Sequence, residues 1–290
     1  MHVNKAEAII RLTRIEHSAM LAVAVVVAEI IARALPGALV LALSMITPIF
    51  VSMGAFALND YFDVSADTIN RMRRPLVVGA LNRSEALAVG VGALLIGIAA
   101  SLFINTLALL VALVFAFIAV LYSYRLKDMP LAGNVLIALS MAIPFIYGDF
   151  VVVGALQPSI VMIVLVVFLS GLAREIHGMI RDYAGDVKAR HTRNVVRQFG
   201  VKKASYAALT LYMEAIIISV YMFFSTAPFA YNAVYLVPIL AVDAVLLYVA
   251  FGYTGRPSRR FFDNARNISL GAMAASILIF LAAALFIIRI

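Results

Sequence analysis

Apolar stretches of about twenty residues recur along this chain, and their spacing constrains the fold more than any other feature. A hydrocarbon core roughly 30 Å thick is crossed by about 20 residues of helix rising 1.5 Å each. The runs fall near 15–35, 39–58, 84–104, 106–124, 131–148, 158–179, 203–225, 231–252 and 266–288. They predict nine transmembrane helices in one all-α bundle, with short connections punctuated by Pro36-Gly37, Asn105, Gln157-Pro158 and Pro228. Backbone in lipid must satisfy its own polar groups, so the runs read as helices, and the alternation of a membrane barrel is absent. Hydrophobic residues make up 64% of the 290 and charged residues 13%, about half the charged share of a soluble domain. The bilayer is therefore the expected solvent. There is no cysteine, which excludes disulfides and thiolate metal sites.

The basic residues test the helix count. With nine crossings, 21 of the 23 Lys and Arg fall on the side of the N-terminus and of the stretches 59–83, 125–130, 180–203 and 253–266, counting Arg174 near the end of the span before 180–203. Only Arg33 and Arg289 fall on the other side. The positive-inside rule makes the first side cytoplasmic. The net charge of +8 is scattered through short loops rather than gathered on one basic face, which argues against nucleic acid as a partner. The polar, amphipathic start from Met1 to Glu16 leads into a run of spanning length, so no cleavable signal is expected. The chain 1–290 reads as a single multi-pass domain of the cell membrane. Its two longest connections are both cytoplasmic, and function is expected in them.

The first of these loops contains Asn59, Asp60, Asp63 and Asp67. Asp63 and Asp67 are four apart, so on a helix they share one face, and Asn59 lies on the same stripe. Like charges so close repel unless a cation joins them. The second loop repeats the spacing with Asp182 and Asp186, each 119 residues after its counterpart. Four predicted helices separate the pairs, which returns the chain to the same membrane face and suggests a parallel internal repeat. The donors are hard oxygens without a histidine–cysteine set, a pattern that fits Mg2+ with waters and substrate phosphates. Arg71, Arg73 and Arg74 follow the first cluster, and Lys127 lies in the intervening cytoplasmic connection. Carboxylates for metal, metal for phosphate and cations for the outer oxygens form a coherent set.

At these residues the sequence resembles the UbiA family of intramembrane prenyltransferases. The family's Asn-Asp-x-x-Asp-x-x-x-Asp pattern is complete at Asn59, Asp60, Asp63 and Asp67. Arg74-Pro75-Leu76 follows, with Tyr122, Ser123, Leu126 and Lys127 matching a further element. The second motif stands at Asp182, Gly185 and Asp186, with Arg174-Glu175 upstream as in archaeal-type members. Departures are Ile15 after Arg14, Gly178 and Met179 before the second motif, and Arg190 after it.

The resemblance implies transfer of a prenyl group from an allylic polyprenyl diphosphate to a hydrophobic acceptor, within membrane lipid. The acceptor would be a glycerol-phosphate ether lipid, an aromatic quinone precursor or haem, and the archaeal-type second motif favours the first. Asp63, Asp67, Asp182 and Asp186 would hold Mg2+ at the departing diphosphate, with Asn59 and Asp60 as further ligands. Asn59, Arg71, Arg74 and Lys127 would hold diphosphate oxygens. Tyr61, Phe62, Tyr122, Tyr124, Phe145 and Tyr147 would offer faces to the allylic cation or the prenyl chain, although an aromatic residue in a membrane helix more often serves packing.

Glu29, Glu214 and Asp243 interrupt apolar runs. Intramembrane acids mark function or internal pairing. The spacing pairs Glu29 with Arg33 and points Glu214 and Asp243 to interhelical hydrogen bonds. His177 reads as a structural histidine or as a base. The rival to an enzyme is a secondary transporter with a parallel repeat, whose charges would lie near the midplane rather than at one surface.

Overall fold

The structure, a computed structural model, describes residues 4–32, 35–69, 72–129, 131–185, 195–255 and 258–288. The described residues hold eleven α-helices: α1 Lys5–Thr13, α2 Ile15–Ile31, α3 Ala38–Ile69, α4 Arg83–Leu102, α5 Thr106–Tyr124, α6 Ala132–Val152, α7 Pro158–Gly185, α8 Val195–Phe199, α9 Val201–Ser225, α10 Ala233–Thr254 and α11 Arg259–Ile288. A single 3-10 turn, Leu126–Asp128, follows α5. Eight of the helices, α3 to α7 and α9 to α11, are long and apolar enough to cross a membrane. The first expected span is the shorter α2, at 17 residues.

The expected loops differ most from what is found. The apolar run near 39–58 ends where lipid would end, yet α3 continues to Ile69. Likewise α7 continues to Gly185. The acidic motif residues Asn59 to Asp67, and Asp182, are therefore helical rather than in loops. Hydropathy locates the edge of lipid; a helix ends only where capping or propensity stops it.

The chain forms two compact units: Met1–Glu29, Leu35–Leu126 and Tyr147–Ala155 in the first, and Ile30–Ala34, Lys127–Ile146 and Leu156–Ile290 in the second. In the first, α3 and α4 approach closely because glycines line their seam. A Cβ added at Gly54 would stand 2.8 Å from the Gly90 carbonyl oxygen, and one at Gly97 would stand 3.0 Å from that of Thr47. Small residues that let backbones meet are the usual membrane solution, since lipid gives helices no hydrophobic drive to associate. Asn82 starts α4 with a capping box: it accepts from the Glu85 N–H at 2.8 Å, and Glu85 accepts from the Asn82 N–H at 2.8 Å. Amphipathic α1 lies against this unit, with Ala8 and Leu12 packed on Ala57, Leu81 and Ala86.

In the second unit, α9, α10 and α11 are tied by buried polar bonds. Ser219 on α9 donates to Asp243 on α10 at 2.8 Å. Tyr235 on α10 donates to the Ser219 carbonyl at 2.7 Å. Asn232 donates to the Ala283 carbonyl of α11 at 3.2 Å. Asp243 thus makes the interhelical bond its position suggested. Glu214 does not, because it lies on an exposed face of α9. Glu29 is fully buried; its expected partner Arg33 lies outside the described residues.

Candidate active site

The last turns of α3 carry the first motif. Asp60 is 1% exposed, and Asp63 and Asp67 are half-buried on the neighbouring face. Asp67 sits in the final turn, where the negative end of the helix dipole disfavours an acid by about 0.3–1 kcal/mol. Acids placed against the dipole ask for a cation.

Part of that demand is met by guanidinium groups. Asp60 accepts from Arg14 Nη2 at 3.0 Å and from Arg74 Nη1 at 3.0 and 3.4 Å. Arg74 Nε also stands 3.8 Å from Asp67. Arg14 comes from the break between α1 and α2, where its backbone is left-handed with φ 45°. It lies over the Phe56 ring at 4.5 Å. Burial and the nearby Arg74 pull the Arg14 guanidinium below its ordinary pKa, and the Asp60 carboxylate opposes that shift. A turn over 75–81 returns the chain from Arg74 to α4, with Ala80 N–H bonded to the Pro75 carbonyl at 2.9 Å.

Other expected residues fall into place unevenly. Asn59 is half-buried on the same helical stripe as Asp63. Tyr61 packs edge-on against Phe62 at 5.2 Å, with Arg83 over its face at 4.7 Å. Phe62 in turn meets Tyr124 of α5 at 5.7 Å, so these aromatics form one cluster beside the acids. Tyr122 is half-buried near the same end of α5, and Lys127 lies on the 3-10 turn beyond it. Phe145 is fully buried in the second unit. Arg71 and Asp186 lie outside the described residues.

Tyr147 lies far from the acids. Its hydroxyl is 2.9 Å from Ser101 Oγ, which is 2.9 Å from Thr47 Oγ1. Thr47 precedes Asp63 by roughly 24 Å of helix. Tyr147 therefore does not reach the carbon next to a diphosphate bound at the acids; its hydroxyl serves a polar chain at the far end of the unit.

The end of α7 carries the second motif. Asp182 is exposed and accepts from Arg181 at 2.8 Å. One helical turn or two earlier stand Arg174, Glu175 and the buried His177. His177 stacks flat on Tyr253 of α10, with ring centroids 3.7 Å apart and planes 2° apart, and is 5.5 Å from Tyr212 of α9. Among the described residues no three acid or histidine side chains are grouped as a metal site. The described oxygen donors, Asp63 and Asp67 near the end of α3 and Asp182 near the end of α7, are of the kind suited to a hard cation that keeps waters and takes phosphate oxygens as its remaining ligands.

Sequence reasoning did not find Arg14 or Arg83 as partners of the first motif. Neither has a local spacing signal, since one comes from the start of the chain and the other from the start of α4.

Apolar helices of spanning length, ending in acids set beside guanidinium groups, define a multi-pass membrane protein equipped to hold an anion through charge. Residues 19–270 match the UbiA prenyltransferase family, and the chain belongs to that family and is a prenyltransferase. It is 35% identical over 280 residues to a digeranylgeranylglyceryl phosphate synthase of Archaeoglobus fulgidus, covering 96% of this chain and 95% of that one. A solved structure concerned with digeranylgeranylglyceryl phosphate synthase in membranes is similar with a TM-score of 0.82 at 25% identity, over 97% of this chain and 99% of that one. A UbiA homolog from Archaeoglobus fulgidus, solved bound to GPP and Mg2+, shares the fold with a TM-score of 0.66 at 21% identity, over 94% of this chain and 99% of that one.

Proposed function

We propose that the chain moves a polyprenyl group from an allylic diphosphate onto a glycerol phosphate lipid that already carries one ether-linked chain, at the cytoplasmic face of the membrane. The observation that carries this reading is the placement of Asp63 and Asp67 near the end of α3 and of Asp182 near the end of α7, with Arg74 3.8 Å from Asp67 and Arg181 2.8 Å from Asp182. The kinship with digeranylgeranylglyceryl phosphate synthases supports the lipid acceptor over a quinone precursor or haem. The whole chain acts as one catalytic domain.

In this reading Asp63 and Asp67 from α3 and Asp182 and Asp186 from the second motif would hold Mg2+ for the diphosphate. When bound, the metal supplies the positive charge that steadies the departing diphosphate. Asp60 takes a different part from that of a ligand, since two guanidinium groups already occupy its oxygens. It fixes Arg74, and Arg74 with Lys127, Arg71 and Asn59 meets the outer diphosphate oxygens. Ionisation leaves positive charge on the allylic carbon. The Tyr61, Phe62 and Tyr124 cluster borders that region and excludes water, which would otherwise capture the cation as an alcohol. The acceptor hydroxyl attacks the cation, and its proton leaves to diphosphate or solvent. The prenyl tail lies among apolar helices, where each buried CH₂ contributes about 0.8 kcal/mol.

The test is direct. Purified protein in detergent, given geranylgeranyl diphosphate, a singly alkylated glycerol phosphate and Mg2+, is expected to release diphosphate and form the doubly alkylated lipid, seen by mass spectrometry. Diphosphate release that occurs only with an aromatic acceptor would refute the acceptor assignment.

A further inference from the structure

The second unit contains a cavity of about 240 Å³ between the end of α7 and the first turns of α11, reaching Asp182 at its edge. Its wall carries three guanidinium groups: Arg174 and Arg181 from α7, and Arg266 from α11. Arg174, Gly178 and Arg181 follow one helical stripe, and Gly178 opens its floor, since a Cβ there would meet nothing within 4 Å. Two carboxylates face the same space and pair with two of the arginines, which leaves the wall one positive charge in excess. Glu175 is 3.4 Å from Arg174 and bonded to Asn134, and Asp182 is 2.8 Å from Arg181.

Two polar atoms at this wall are buried without a hydrogen-bond partner: Arg174 Nε and His177 Nε2. His177 is 4% exposed. A buried polar atom left unmade costs about 1–3 kcal/mol; Arg174 Nε is always a donor, and His177 Nε2 is one in the tautomer that carries the ring proton there, so one acceptor entering the cavity can serve both. The His177 ring cannot turn away to find one, because Tyr253 lies flat against it at 3.7 Å. An entering group must be rich in acceptor oxygens, anionic enough to sit among three arginines, and small. A terminal phosphate fits, because guanidinium forks meet its oxygens in pairs.

Given the acceptor class proposed above, on which this step rests, we infer that the cavity binds the phosphate of the glycerol phosphate acceptor. Arg174, Arg181 and Arg266 supply the charge, and His177, protonated on Nε2, donates to one oxygen. The phosphate would then be held by side chains rather than by metal. That would separate it from the donor diphosphate and set the acceptor hydroxyl at a fixed reach from Asp182.

Arg266 is exposed, so R266Q is expected to fold as the parent does, and circular dichroism with a thermal scan checks this. Two measurements on the full chain in detergent decide the matter. In EDTA, calorimetry should show geranylgeranylglyceryl phosphate binding to the parent and binding about tenfold or more weaker to R266Q, the loss of one charge-assisted hydrogen bond. In turnover, R266Q should raise KM for that acceptor and leave KM for the donor unchanged. Its preference for phosphorylated over dephosphorylated acceptor should fall by a similar factor, and R266K should recover part of it. An acceptor KM equal to the parent's, or a rise confined to the donor, overturns the inference. A parent protein that transfers to no glycerol phosphate lipid sinks the functional reading and this inference together. Transfer by the parent with an indifferent R266Q sinks the inference alone.

Discussion

Asp60 accepts two hydrogen bonds from the Arg74 guanidinium, at 3.0 and 3.4 Å, and a third at 3.0 Å from Arg14. The carboxylate is 1% exposed, while the two arginines keep about a quarter of their side-chain surface in solvent. Removing its charge leaves two cations facing each other. D60N is expected to lose roughly 2–3 kcal/mol of stability, less than the loss for a fully buried pair because the arginines can partly rehydrate. It should also raise KM for the diphosphate donor more than it lowers kcat, since Arg74 loses its anchor. Thermal unfolding in detergent and donor-dependent kinetics check both. A D60N protein with unchanged donor KM would argue that Arg74 does not touch the diphosphate.

Asp63 and Asp182 carry the proposed chemistry from separate units. D63A and D182A are each expected to abolish transfer, by 10³-fold or more on the order expected for loss of a principal charge-stabilising group, while membrane insertion and helical content stay intact. Raising Mg2+ should not restore either variant. Retained turnover in one of them would mean that the two acid pairs do not serve a single diphosphate.

The sequence made the membrane helices legible because lipid imposes a length and a polarity that few other folds share. It also made the shared face of Asp63 and Asp67 legible, because a four-residue spacing has one meaning on a helix. It did not reveal that α3 and α7 run past lipid to Ile69 and Gly185, since polar helix formers carry no hydropathy signal. It did not reveal that Asp60 pairs with Arg14 and Arg74, because Arg14 is brought in by the fold of α1 against α3. Nor did it reveal which end of the unit holds Tyr147. An aromatic near the end of a span reads alike at either end, and its bond to Ser101 at 2.9 Å fixes which end it occupies.

The α3–α4 seam sets the position of the first acid pair, so its glycines should be sensitive. At Gly54 an added Cβ would lie 2.7 Å from Leu94 Cγ and 2.8 Å from the Gly90 oxygen. Backbone cannot give way as a side-chain tip can. G54V is expected to cost about 1–3 kcal/mol or more by overpacking, with falling expression and a lower unfolding temperature. Gly92, two residues beyond Gly90 on α4, meets nothing within 4 Å. G92A should be neutral or gain about 0.5–1 kcal/mol from helix propensity. A G92A protein destabilised as much as G54V would mean that added bulk is costly away from the seam as well as in it.

Asp243 offers a test of whether an intramembrane acid serves structure or substrate. It is 6% exposed and accepts from Ser219 at 2.8 Å, and Tyr235 bonds the Ser219 carbonyl at 2.7 Å. The group therefore ties α9 to α10 within the second unit. Asparagine can accept the same serine proton, so D243N should keep both stability and turnover. D243A and S219A each leave one partner unmet and should cost roughly 0.6–1.7 kcal/mol, the range of single interhelical bonds in membranes. The double variant should cost less than the sum of the two, since the second substitution removes a group already without its partner. A fall in kcat for D243N at unchanged unfolding temperature would instead make the carboxylate's charge part of turnover, and this interhelical bond alone would not explain its presence.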